Sequence, residues 1–86
     1  MKYTLVVFSS RQDTMTYYKI IKNFGLFCSI VNTPRKLSSS CGISCKIDAR
    51  LISNSLNIIK TNHLHSFKGI FSIQITANKE IVQQLV

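Results

Sequence analysis

The chain has 86 residues, 45% of them hydrophobic, with 11 Lys and Arg against 3 Asp and Glu, a formal net charge of +8. This length leaves room for one domain, burying about 60–65% of its unfolded surface, and excludes a two-domain enzyme. The apolar content excludes a disordered tail protein, and with charged residues at 16% the imbalance reflects scarce acids, so charge alone does not identify a nucleic-acid binder.

Lys2 to Phe8 is apolar and β-branched almost throughout, which predicts a strand with both faces partly covered. Ser9-Ser10 then offers an N-cap hydroxyl, and Asp13 places negative charge in the first turn of a helix. The spacing predicts this helix over Arg11 to Phe24. Met15, Tyr18, Ile21 and Phe24 form its apolar stripe, supported by Tyr17 and Ile20, and Gly25 lies just past its end. Phe27 to Val31 reads as a short strand ended by Asn32-Thr33-Pro34, because proline lacks the amide donor a ladder needs. Arg35 to Gly42 is a run of small polar residues that reads as a loop. Ile43, Cys45 and Ile47 alternate with Ser44 and Lys46 as a third strand. Asp48 caps a second helix over Ala49 to Thr61, with Ile52, Leu56 and Ile59 on its stripe and Leu51 and Ile58 beside it. Phe67, Gly69, Phe71, Ile73 and Ile75 alternate with mostly polar partners as a fourth strand. Residues 77–86 read as a tail with a short helix around Glu80 to Leu85.

The order β-α-β-β-α-β predicts an α+β fold of the ferredoxin-like, split βαβ kind, a four-stranded antiparallel sheet with two helices on one face. Residues 1–76 are expected to form this single domain, followed by the tail. The other sheet face is expected either to be solvated or to pair with a second copy as a homodimer. The early apolar run Leu5-Val6-Val7-Phe8 is too short for a signal peptide or a span of roughly 20 residues. A cytoplasmic chain that does not enter a membrane is the expectation.

Three cysteines, an odd number without a secretory signal, argue for free thiols. Cys28 shares a strand face with Ile30, and Cys45 shares one with Ile43 and Ile47, so both read as small packed hydrophobes. Cys41 differs, because it follows Ser38, Ser39 and Ser40 and precedes Gly42, a residue free to take positive φ. Backbone amides and serine hydroxyls in such a loop donate to a sulfur anion, and Arg35 and Lys36 add positive charge. Donors and cations favour the thiolate, the form that attacks sulfur or selenium electrophiles. Cys41 is therefore the nucleophile candidate, and no His or acid stands at a triad spacing that points to a hydrolase.

Pro34-Arg35, Ser38-Ser39-Ser40-Cys41-Gly42 and the strand after them resemble the signature of the putative selenium/sulfur carrier protein-like family of small bacterial domains. The resemblance extends in outline from Tyr3 through the second helix. It implies a chalcogen held on Cys41 as persulfide or perselenide, with Pro34, Arg35 and Gly42 as matching loop positions. It implies a carrier or accessory protein, without a cofactor of its own, that works with a sulfur- or selenium-transferring enzyme. The serines Ser38, Ser39 and Ser40 complete the expected substrate-binding loop. Strong basicity, the second cysteine Cys45 and the chain beyond Ile75 depart from that pattern.

Two alternatives belong to other classes. Ferredoxin-like sheets stack bases on aromatics, and the chain is basic, but Ile43 to Ile47 holds no aromatic and no Lys/Arg-Gly-Phe-Gly-Phe run occurs, which disfavours a nucleic-acid-binding module. A redox sensor joining Cys41 to Cys45 needs a tight turn at Gly42, since a straight segment separates their Cα atoms by roughly 13 Å against the 4.4–6.8 Å of a disulfide. The spacings His63-x-His65 and Cys41-x-x-x-Cys45 match no structural zinc pattern.

Overall fold

The computed structural model describes residues 1–37 and 41–86 of the chain. Its elements are β1 (Lys2–Phe8), α1 (Arg11–Asn23), β2 (Cys28–Asn32), β3 (Ile43–Ile47), a 3₁₀ turn (Ala49–Leu51), α2 (Ile52–Thr61), β4 (Phe67–Ile75) and β5 (Glu80–Gln84). The strands form one antiparallel sheet in the order β2-β3-β1-β4-β5. β3 is antiparallel to both β1 and β2, so α1 crosses between two parallel strands with β3 inserted between them.

The sheet has five strands where four were expected, and Glu80–Gln84 is a strand rather than a helix. Pairing decides this, since Ile73 sits opposite Val82 and Ile75 opposite Glu80 along the edge of β4. Gly69 makes room for the end of the chain. A Cβ at this position would lie 2.8 Å from Gln84 Nε2 and 2.8 Å from Val86 O, and its φ of +149° suits glycine.

α1 begins as read, with Ser10 Oγ accepting from Asp13 N at 3.2 Å. Of the expected stripe Ile21 is buried, as is the supporting Tyr17, and Tyr18 and Ile20 pack against the core, while Thr14 rather than Met15 completes the buried face and Phe24 is exposed at the C-cap. Spacings of three and four still define the stripe, but a threonine opens it. The second helical segment starts as a 3₁₀ turn, where Asp48 accepts from Arg50 N, and continues as α2 with Ser55, Ile58 and Ile59 buried.

Both faces of the sheet are apolar. On the helix side Val6, Phe8, Cys28, Cys45, Ile47 and Ile70 pack with Tyr17 and Ile21 of α1 and with Ile58 and Ile59 of α2. On the other side Leu5, Val7 and Ile73 are buried beneath Tyr3, Val31, Leu37, Phe71 and Val82. That face was expected to meet solvent or a second copy, and the chain's own loop and edge strand cover its centre. A bulge between Val7 and Phe8 shifts the register with β4, so that Phe67 joins the helix-side core while Phe71 and Ile73 lie on the other face. Among the described residues no helix is long and apolar enough to cross a membrane.

Candidate functional site

Antiparallel pairing brings three elements to one end of the sheet. The register that sets Val6 opposite Cys45 carries the end of β1 and the start of β3 to the same end, where α1 also begins. The β2–β3 loop closes there, as Thr33 N donates to Gly42 O at 2.9 Å and the hydroxyls of Thr33 and Ser44 lie 2.6 Å apart. Gly42 has φ +73°, the left-handed conformation expected of it, which returns the chain into β3. Cys41 is thereby tucked against the end of β1 and the start of β3, half-buried.

Cys41 Sγ lies 3.0 Å from Ile43 O, 3.4 Å from Phe8 O and 3.7 Å from Thr14 Oγ1. The two carbonyls accept only, so the neutral thiol donates to them, whereas the Thr14 hydroxyl either accepts or donates. The other thiols are different. Cys28 and Cys45 are 3% and 0% exposed in the helix-side core. Cys45 Sγ donates to Thr14 O at 3.7 Å. The neighbouring Cys28 thiol, together with burial, pushes the Cys45 thiol up, so Cys45 keeps its proton.

The remaining expected residues are spread along the loop. Arg35 is exposed in the turn after Pro34, and Gly42 is exposed at the loop's end. Ser38, Ser39 and Ser40 lie outside the described residues. Lys36 Nζ donates to Glu80 O, and Leu37 packs on Leu5, Val7 and Ile73, so this side of the loop lies over the second sheet face. Thr14 and the Phe8 carbonyl are contacts that sequence reasoning missed. The signal for Thr14 was present, because it stands three and seven residues before Tyr17 and Ile21, on their stripe, and four after the N-cap. Among the described residues no group of three or more His, Cys, Asp or Glu side chains is placed to hold a metal ion.

Residues 2–72 match the model of a family described as "Putative Se/S carrier protein-like". Neither the curated proteins nor the solved structures give a match. The matched stretch runs from β1 into β4 and contains Cys41, Phe8, Thr14 and Ile43, while β5 falls beyond it. The chain belongs to the Se/S carrier protein-like family.

Proposed function

We propose that this chain carries sulfur or selenium on Cys41 as a persulfide or perselenide. One observation carries the reading: of three thiols, the one in the family's loop is partly open to solvent, and the other two are sealed in the core. The family supports a transferring partner. The core formed by β1 to β4 is read as ferredoxin-like, with β5 added at its edge, and it holds the loop at the end where α1 begins.

In the transfer, the Cys41 thiolate attacks the outer sulfur of a persulfide on a donor enzyme. The new bond joins that sulfur to Cys41 Sγ, the donor's sulfur–sulfur bond breaks, and its electron pair leaves with the donor's own cysteine as thiolate. No external oxidant or reductant is consumed. Selenium transfers by the same displacement. Arg35 supplies positive charge on the exposed side of the loop. Ser38, Ser39 and Ser40 supply donors, and Gly42 leaves the backbone beside the thiol uncovered for the donor to approach. A carrier needs no general base of its own, because the proton of a partly exposed thiol passes to solvent.

The test is loading by a cysteine desulfurase with cysteine, read as intact mass and by mapping of the Cys41 peptide. Wild type is expected to gain the mass of one sulfur on Cys41, and Cys41→Ser to gain none. No added sulfur on Cys41, or equal loading of the Cys41→Ser variant, would overturn the reading. A parallel arm with selenocysteine in place of cysteine, so that the donor enzyme is charged with selenium, separates the two chalcogens.

A further inference from the structure

We infer that Thr14 is a positioning residue for Cys41: its hydroxyl turns from Ser10 O to Cys41 Sγ when the thiol loses its proton, and it holds the thiolate for attack. The inference rests on the carrier reading of Cys41 and deepens it. Thr14 is fully buried, and its side chain lies at the end where β1, α1 and β3 meet. Its hydroxyl now donates to Ser10 O at 2.9 Å, with Cys41 Sγ 3.7 Å away. Ser10 O also accepts from Thr14 N at 3.1 Å, so this carbonyl keeps a partner after the hydroxyl turns. The reorientation therefore strands no acceptor.

Two other contacts of Cys41 favour its thiol over its thiolate. Once its proton has passed to solvent, Sγ faces the carbonyl oxygens of Ile43 and Phe8, which repel an anion. Of these three groups, the Thr14 hydroxyl is the one that can answer with a donor. Position in the first turn of α1 adds the favourable end of the helix dipole. The titratable side chains at this end of the packed elements are Arg11 and Asp13 of α1, Cys45 of β3, and Arg35 and Lys36 of the loop; Tyr17, Tyr18, Lys19 and Lys22 of α1, Lys46 of β3, and Lys2 and Tyr3 of β1 stand further along. Asp13 Oδ2 is turned to Ser66 N at 3.1 Å, and Cys45 to Thr14 O, so a change of the Thr14 side chain leaves these arrangements in place.

The experiment is the rate of Cys41 alkylation by iodoacetamide against pH, followed on the Cys41 peptide, for wild type, Thr14→Val, Thr14→Ala and Thr14→Ser. Both variants without a hydroxyl are expected to raise the midpoint by about one pH unit and to slow the neutral-pH rate about tenfold. Thr14→Ser, which restores the hydroxyl, is expected to follow wild type. An unmoved midpoint in either Val or Ala, or a Ser variant shifted as far as they are, overturns the inference. The two proposals fail separately. A wild type that takes no sulfur while its variants still shift removes the carrier reading alone. Normal loading with an unmoved midpoint removes the role of Thr14 alone.

Discussion

The two faces of the sheet are closed in different ways. The helix side is a continuous core in which two helices seal Val6, Phe8, Cys45 and Ile70. The opposite side seals only Leu5, Val7 and Ile73, and its cover comes from the β2–β3 loop through Leu37 and from β5 through Val82. Small domains have little apolar surface to spend, so a second buried face must be covered by whatever chain passes over it. Here that chain is the loop leading to Cys41. The helix side thus provides most of the stability, while the other side links packing to the position of the thiol loop.

The largest expected effect compares one buried isoleucine from each face. Ile21→Ala empties a site walled by helices and sheet and is expected to cost about 4 kcal/mol, near the upper end for such truncations. Ile73→Ala is expected to cost about 2 kcal/mol, because the loop and edge-strand side chains above it can close in. Urea unfolding of both variants measures the difference, and equal costs would break the distinction between the faces.

Next comes alkaline pH, which acts through the helix side. Burial pushes the Tyr17 phenol well above its ordinary value, despite the Ser55 hydroxyl 2.6 Å away, and Cys45 is also raised. Both groups are held neutral in the fold, and both ionise more readily when unfolded. The Tyr17 contribution is therefore complete at neutral pH and is lost as pH rises above 10, whereas the raised Cys45 is opposed by its partner Cys28, which the same interaction lowers. Tyr17 removes up to about 1.4 kcal/mol per pH unit in this window. Tyr17→Phe is expected to lose about 1 kcal/mol at neutral pH, from the broken Ser55 bond, and to show a shallower decline above pH 10 in the same unfolding experiment. A decline as steep as that of wild type would show that Tyr17 is not the group being titrated.

Most of this frame was legible because local signals and pairing agree. Lys2–Phe8, Ile43–Ile47 and Phe67–Ile75 have the bounds their composition suggests, and strand parity correctly sent Cys28 and Cys45 inward. Three features depended on partners far along the chain. Glu80–Gln84 has no alternation strong enough to mark a strand, and pairing with β4 makes it one. The bulge at Val7/Phe8 moved Phe67 to the helix face, which period-two counting along Phe67–Ile75 alone does not reveal. Thr14 is not on the predicted stripe, because the choice between the stripes through Thr14 and through Met15 is made by the sheet that α1 lies on. The loop at the site was recognisable from Pro34, Gly42 and the serines, but the carbonyls and hydroxyl around Cys41 come from β1, α1 and β3, which no local pattern brings together.

The smallest effect on stability is also the most informative about the loop. Leu37 is half-buried on the second face, so Leu37→Ala is expected to cost about 1 kcal/mol, less than truncation at either isoleucine. Its consequence for chemistry should be larger than its cost. Leu37 ties the loop to the sheet four residues before Cys41, and Lys36 beside it donates to the backbone of β5. Loosening this anchor should let the loop lift, weakening the contacts of Cys41 with the Phe8 and Ile43 carbonyls while leaving Cys45 sealed beneath α1. Greater access and loss of the carbonyl contacts outweigh the weaker Thr14 contact, so alkylation of Cys41 is expected to become several-fold faster at neutral pH, with Cys45 as protected as before. If Cys45 gains reactivity in step with Cys41, the variant opens the whole fold rather than the loop. In that case the second face would be no more than another part of the core, with no separate hold on the thiol.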